Sequence, residues 1–432
     1  MRGRVRPPAR SPGLGHATMK ALIILPTGMT DLPLEGLGGQ TPLEAAETPH
    51  LDRVAREGRL GTVCTVPEGL PVTSVAALLS LLGYDPRREQ ASRAGLEAAA
   101  LGVELGPDDW AFRMNFASTF REHLVDFQAG PIRTEEARLL IETLQAELGS
   151  DELSFHVGMG YRNLFVVRGR GALDVETVPP AVAQGLPLED HAPQGPDADL
   201  LCDVMDAATR LLGRHDVNRV RLDLGENAAD RIWLWGGGGR PLLEPFPIRT
   251  GRRLAVVGAV PLVRGLGVLA GATVPDVPGA TGCHETAYEA KLQCALELLE
   301  EHDVVLLHLA AANEACHQTD VRLKQRILED IDRRVVGPAL AVLGRRLDAR
   351  LLVTTDHMTS ALVGSPDVGA HVPFGLWGAG VSSHREVRYT EEHAAAGDLC
   401  VDPGHALLEL LLKPTAGSPV AAPDEPGNAV VG

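Results

Sequence analysis

Unbroken apolar runs, rather than alternating ones, mark the two ends of this chain. Lys20 to Leu25 (KALIIL) is bounded by Pro26 and Gly28, Asp303 to Leu309 reads DVVLLHL, and Leu351 to Thr354 reads LLVT. With Arg253 to Val257 (RLAVV), these runs predict strands covered on both faces of a parallel sheet. Helical spacing falls between them. Thr41 to Gly58 is predicted as a helix, with Leu51 and Val54 apolar and Gly58 placed as the stop. Pro71 to Gly83 reads as a loop running into a buried helix that opens at Ser74. Val260 to Leu269, Ala287 to Glu301, a long amphipathic stretch within Asp320 to Leu347, and Pro403 to Leu412 follow as helices. From Arg87 to Thr250 the texture changes to short strand-like pieces (Ala111 to Ala117, Asn163 to Val167, Arg231 to Trp235) and two helical stretches (Thr134 to Leu148, Asp199 to Leu212). A Gly/Pro-rich break covers Val178 to Pro196. The expected fold is therefore α/β, a doubly wound core over residues 19–87 and 250–412 interrupted by an α+β cap at 88–249. Residues 1–18 and 413–432 are expected to be disordered tails, and the ordered pattern starts at once after Met19.

A length of 432 residues agrees with more than one domain, and 44% apolar residues with only 4% aromatic calls for a core of Leu, Val and Ala. The net charge of −17 argues against a dedicated nucleic-acid binder or a polybasic membrane-surface protein. No apolar run approaches the roughly 20 residues of a membrane-spanning helix. The basic segment MRGRVRPPARSPGLGHAT lacks the apolar stretch of a signal peptide. The six cysteines are scattered with no C-x-x-C pair, which fits reduced thiols and a cytoplasmic location.

In open parallel sheets ligands bind beyond the carboxyl ends of the strands. The polar residues found there are Thr27, Asn313 and His317, and Asp356-His357, with Ser74 at a helix start and Asp367 and His371 in a later loop. Oxygen and imidazole donors delivered to one crest suit a divalent metal, and a serine at a helix N-terminus beside it suits attack on phosphorus. Each residue also has a plainer reading: Asp356 and Ser74 as helix caps, Asn313 and His317 as neighbours on one helix face, Cys316 as a lone thiol.

The order of these residues narrows the choice. GGQTPLEAAETP at Gly38 to Pro49, SLLGYDP at Ser80 to Pro86, AFRMNF at Ala111 to Phe116, VPGATG at Val277 to Gly282, NEACH at Asn313 to His317 and Thr355-Asp356-His357 follow one another. Together they resemble the archaeal-type cofactor-independent phosphoglycerate mutases of the alkaline phosphatase superfamily, from about Met19 to Leu412. The resemblance implies an alkaline-phosphatase-like core and interconversion of 3- and 2-phosphoglycerate through a phosphoserine, in glycolysis and gluconeogenesis. It also implies one or two divalent ions, Mn2+ foremost, with Mg2+, Co2+ or Zn2+ as alternatives. By position, Ser74 is the nucleophile, Thr27, Asp356 and His357 hold the ion beside it, and Asn313, His317 and the Asp367/His371 region hold the other. Arg113, Arg162 and Lys291 match the basic residues that clamp a small phosphorylated acid, with Arg93 and His156 as further cleft candidates. The chain departs from the family pattern where Thr27 and Asn313 stand in place of carboxylates, Thr73-Ser74-Val75 in place of Gly-Ser-Asp, and Asp367 in place of a histidine. A site with fewer anionic ligands offsets less of the desolvation of two divalent ions. A one-metal phosphatase or phosphotransferase and a non-catalytic metabolite binder therefore stand beside the mutase reading.

Overall fold

The computed structural model describes residues 19–89, 91–130, 132–362, 367–382 and 387–413, with only the backbone of Asp367 and Val368. Four of the apolar runs become β1 (Lys20–Pro26) and, later in the chain, β8 (Leu254–Val257), β9 (Val304–Leu309) and β10 (Ala349–Thr354). They pair in parallel in the order β10-β1-β9-β8, with Leu22 flanked by Leu351 and Val305. Their carboxyl ends thus share one crest. Alternate residues of β1 point to opposite faces: Leu22 and Ile24 pack under helices Pro49–Glu57, Tyr288–Glu301 and Val321–Ile331, while Ala21, Ile23 and Leu25 pack under Ser74–Leu81, Pro261–Leu269 and Leu407–Leu412. Helices on both faces explain why these strands are apolar throughout.

The sheet continues past β10 through three strands absent from the sequence reading. They are β13 (His371–Gly378), which runs antiparallel, then β2 (Arg59–Cys64) and the two-residue β14 (Cys400–Val401). A two-stranded ribbon of β11 (Met358–Thr359) and β12 (Asp367–Gly369) lies just beyond β10.

Two predicted helices are broken. The Thr41 to Gly58 stretch forms Pro42–Ala45 and Pro49–Glu57, because Pro49 disfavours helical backbone at Thr48 and restarts the chain as a first-turn proline. The Asp320 to Leu347 stretch runs as Val321–Ile331, a π turn at Asp332–Val336, and Gly337–Leu343. At that turn buried Asp332 accepts the backbone N–H groups of His50 (3.1 Å) and Leu51 (2.7 Å), so it caps the helix that Pro49 restarts.

Between β2 and β8 the chain builds a second, antiparallel sheet. Its strands are β3 (Trp110–Phe120), β4 (His123–Asp126), β5 (Leu153–Met159), β6 (Arg162–Val167) and β7 (Arg231–Gly239), with β3 flanked by β6 and β7. Helices Thr134–Leu148 and Ala198–Leu212 cover one face. Helix Arg93–Ala100 packs against the other and also meets core helix Pro261–Leu269. There Gly265 lies so close to Leu96 that a Cβ would fall 1.7 Å from the Leu96 carbonyl oxygen. No helix among the described residues is long and apolar enough to cross a membrane.

Candidate active site

Ser74 is the first residue of helix Ser74–Leu81, and the capping is done by Thr73, whose hydroxyl accepts from the Ala76 N–H at 3.3 Å. With that task taken, the Ser74 hydroxyl is available to β10's carboxyl end. Its Oγ lies 3.1 Å from Asp356 Oδ2, to which it donates, and 3.1 Å from His357 Nε2. Asp356 Oδ2 and His357 Nε2 are 3.3 Å apart, and both residues are 2% exposed. Two oxygens and one nitrogen therefore converge beside the unpaired N–H groups of a helix start.

The loop that carries Asp356 and His357 is fixed from beneath. His357 Nδ1 lies 3.3 Å from the Thr359 hydroxyl. The Thr359 carbonyl accepts from Lys324 Nζ at 3.0 Å, and that ammonium also reaches the Thr30 carbonyl (3.0 Å) and Asp31 (2.9 Å). Asp31 accepts in addition the N–H groups of Leu32 and Ala361. This fully buried ion pair ties the segment after β1 to the segment after β10.

Thr27, at the end of β1, is 5% exposed, and its hydroxyl lies 3.4 Å from His308 Nε2. Its carbonyl accepts the Asn313 N–H at 3.0 Å. Gly28 makes that approach possible: its φ is +78°, and a Cβ there would lie 2.4 Å from the Asn313 nitrogen. One turn on, Asn313 Nδ2 lies 3.4 Å from His317 Nε2. His308 had been read only as part of an apolar strand. Its Nδ1 is buried with no hydrogen-bond partner among the described residues, and burial holds the imidazole down at about 4, with Asp356 opposing the shift and Lys291 adding to it.

The basic residues divide. Lys291 is 1% exposed, donates to the Thr281 carbonyl at 2.8 Å, and is pulled down to about 8 by burial, opposed by Cys283. Burial raises the Cys283 thiol, with Glu314 adding to the shift and Arg162 and Lys291 opposing it, and burial raises the Tyr161 hydroxyl, with Arg162 opposing. The Arg162 guanidinium stacks 4.6 Å from the Tyr161 ring centroid. Arg113 is engaged instead: it pairs with Glu97 at 2.9 Å and lies 3.9 Å over the Trp235 ring, while burial lowers it to about 10. Arg93 shares Glu97 at 3.3 Å. His156 sits on β5 against the Ser154 hydroxyl at 3.0 Å, and burial lowers its imidazole, with Arg168 adding to the shift. The backbone of Asp367 pairs with Thr359 in the ribbon, and its side chain lies outside the described residues. His371 is exposed and belongs to a separate group with Cys64 and Asp402.

The donors around Ser74 fit a divalent ion. Ser74, Asp356 and His357 offer a carboxylate, a hydroxyl and an imidazole within 3.3 Å of one another. The described residues around Asn313 and His317 offer a neutral amide and an imidazole already 3.4 Å from each other.

Fold and site together define a two-sheet α/β protein with a buried Ser-Asp-His cluster beyond the carboxyl ends of its parallel strands. Residues 55–218 match the family model of 2,3-bisphosphoglycerate-independent phosphoglycerate mutase. A probable mutase of that description from Geobacter sulfurreducens is 44% identical over 399 residues, covering 91% of this chain and 100% of its own. The mutase from Methanothrix thermoacetophila is 41% identical, with the same coverage. Among solved structures, a protein from Pyrococcus horikoshii superposes with TM-score 0.75 at 28% identity, covering 91% of this chain and 97% of its own. The cofactor-independent phosphoglycerate mutase from Thermoplasma acidophilum gives 0.58 at 28%, covering 91% and 99%. This chain belongs to the 2,3-bisphosphoglycerate-independent phosphoglycerate mutase family.

Proposed function

We propose that this protein interconverts 3-phosphoglycerate and 2-phosphoglycerate through phosphorylated Ser74. The observation that carries the reading is Ser74 Oγ, 3.1 Å from both Asp356 and His357 at the start of a buried helix. In the first half-reaction the Oγ–P bond forms and the substrate's C–O–P linkage breaks at phosphorus. The Ser74 proton passes to the Asp356 carboxylate, and the departing glycerate oxygen takes up a proton. The second half returns the phosphoryl group to the other glycerate hydroxyl, and Oγ regains its proton. Lys291 and Arg162 hold the anionic substrate across the cleft, and the helix start adds backbone N–H groups to the phosphoryl oxygens. A divalent ion bound by Ser74, Asp356 and His357, with Mn2+ the first choice, supplies positive charge to the nucleophile and the phosphoryl group. Thr27 and His308 border this site on its β1 side, where His308 in neutral form leaves it without an added cation.

The test is formation of 2-phosphoglycerate from 3-phosphoglycerate with Mn2+, followed through excess enolase. Turnover is expected in the parent and is lost in Ser74→Ala; a folded parent without turnover overturns the mutase reading. Asn313, an amide beside His317 where a carboxylate is expected, favours a second reading, a one-ion phosphohydrolase. Hydrolysis of an aryl phosphate, abolished by Ser74→Ala and unaccompanied by 2-phosphoglycerate formation, identifies it.

A further inference from the structure

At the same crest, two strands beyond β10, three strands meet with a different donor set. Cys64 ends β2, His371 begins β13 directly across from it in the antiparallel register, and Asp402 follows β14, whose Val401 pairs with Val63. Cys64 Sγ, an imidazole nitrogen of His371 and a carboxylate oxygen of Asp402 all lie within 4.8 Å of one another. Cys64 is 5% exposed, while His371 and Asp402 open to solvent. In the present rotamer the thiol donates to the Val66 carbonyl at 3.2 Å. The backbone beneath is closely fitted, since a Cβ on Gly404 would lie 2.1 Å from the Cys64 carbonyl oxygen.

We propose that Cys64, His371 and Asp402 form a site for a single borderline-soft divalent transition ion of the Zn2+ type, distinct from the Ser74 site. Tetrahedral coordination with Zn–S about 2.3 Å and Zn–N about 2.0 Å places sulfur and nitrogen roughly 3.6 Å apart, so the group closes on an ion through side-chain rotation alone. One thiolate, one imidazole and one carboxylate select Zn2+ or Co2+ over Mn2+ and Mg2+, which prefer all-oxygen or oxygen-rich shells. The ion's fourth position faces solvent, on the side where exposed Cys400 pairs in register with Thr62. Val66, two residues after Cys64, and Ala370, next to His371, pack on Ala76 and Ala77 of the Ser74 helix. Bound there, the ion cross-links β2 to two strands some three hundred residues later in the chain, and it clamps the short edge strand β14 onto β2.

The experiment is titration of the full-length, metal-stripped protein with Co2+, read by absorbance. One equivalent is expected to give a thiolate-to-cobalt charge-transfer band that stoichiometric Zn2+ displaces and that Ser74→Ala leaves in place. Cys64→Ala removes the band. His371→Ala and Asp402→Asn, both on the solvent side and so tolerated by the fold, weaken Co2+ binding at least about tenfold, since even second-shell losses cost that much. Circular dichroism matching the parent certifies each variant as folded. Co2+ bound without a thiolate band overturns the proposal, as does a band retained at parental affinity in both His371→Ala and Asp402→Asn, which assigns the thiolate to another cysteine.

Discussion

Replacing Lys324 by Met keeps the volume of a 0% exposed side chain but strands the Asp31 carboxylate, also unexposed, with only the N–H groups of Leu32 and Ala361. Breaking a buried ion pair from one side costs about 3–5 kcal/mol. The cost has a ceiling set by protonation, because the carboxyl can bind a proton instead of staying charged. With an unfolded value near 3.9 and 1.36 kcal/mol per unit, neutralising it costs about 4 kcal/mol at pH 7 and about 1.5 at pH 5. The carbonyls of Thr30 and Thr359 also lose a donor, but that loss is independent of pH and cancels in the comparison. The variant's carboxyl is raised above its unfolded value, so the folded variant binds more protons than the unfolded chain and its deficit grows as pH rises. Lys324→Met is therefore expected to lose between about 1.5 and 2.5 kcal/mol more at pH 7 than at pH 5, relative to the parent at each pH. Urea denaturation of both proteins at the two pH values measures this, with equal slopes licensing the subtraction. A deficit that is the same at both values refutes the reasoning. Because Lys324 also holds the Thr359 carbonyl two residues from His357, turnover at pH 5 and 7 is expected to fall even where the variant remains folded.

Lys291, lowered to about 8 by burial, is charged at pH 7 and loses its proton as pH rises through 8, so binding of 3-phosphoglycerate is expected to weaken up to tenfold per unit above that point. Calorimetric titration between pH 7 and 9 checks it; Lys291→Met removes the slope and costs roughly 10- to 100-fold in affinity, the worth of one charge-assisted hydrogen bond. A slope that survives in the variant assigns the titration to another group. The double change Thr27→Asp with Asn313→Asp is expected to raise Mn2+ stoichiometry from one to two per chain and to lower thermal stability in the absence of metal, because Thr27 is buried and a new carboxylate there faces His308 without a cation. Electron paramagnetic resonance of bound Mn2+ and melting curves with and without the ion report both; one ion in parent and variant alike contradicts the account.

The strands legible in the sequence are those covered by helices on both faces, for which burial demands the same chemistry at every position. β13 carries Pro373 and Gly375 inside a paired strand, and both read as breaks. The glycine is there for space, since a Cβ would lie 2.7 Å from Val54 Cγ1 and 2.8 Å from the Tyr389 ring. In β2, Gly61 makes similar room for the Leu399 carbonyl, at 2.3 Å. Close packing against partners outside the strand thus erased the local signal that identifies it. Helix Arg93–Ala100 was missed for the same reason: its small residues answer to Gly265 and Pro241, not to any period of their own.

The site divides along the same line. Ser74, Asp356 and His357 could be named because each ends or begins an element, and the carboxyl ends of parallel strands are where such a sheet places ligands. The hydroxyl of Ser74 could not be separated from a cap by sequence, since the decision lies with Thr73 and the Ala76 N–H. His308 was hidden by its strand, one more buried position in a run where only the orphaned Nδ1 marks it as different. Cys64, His371 and Asp402 carry no spacing at all; they meet because β13 runs against β2 and β14 runs with it, a pairing that no local pattern encodes. A candidate site residue anchored to an element's end can be named from the chain, whereas a donor set assembled across strand edges becomes visible only once register is known. Thr27 shows the limit from the other direction. Its position at the end of β1 was readable, but its neutral hydroxyl acquires meaning only beside His308, held near 4 by burial, because two neutral groups there leave the adjoining Ser74 site with Asp356 as its one described anionic donor.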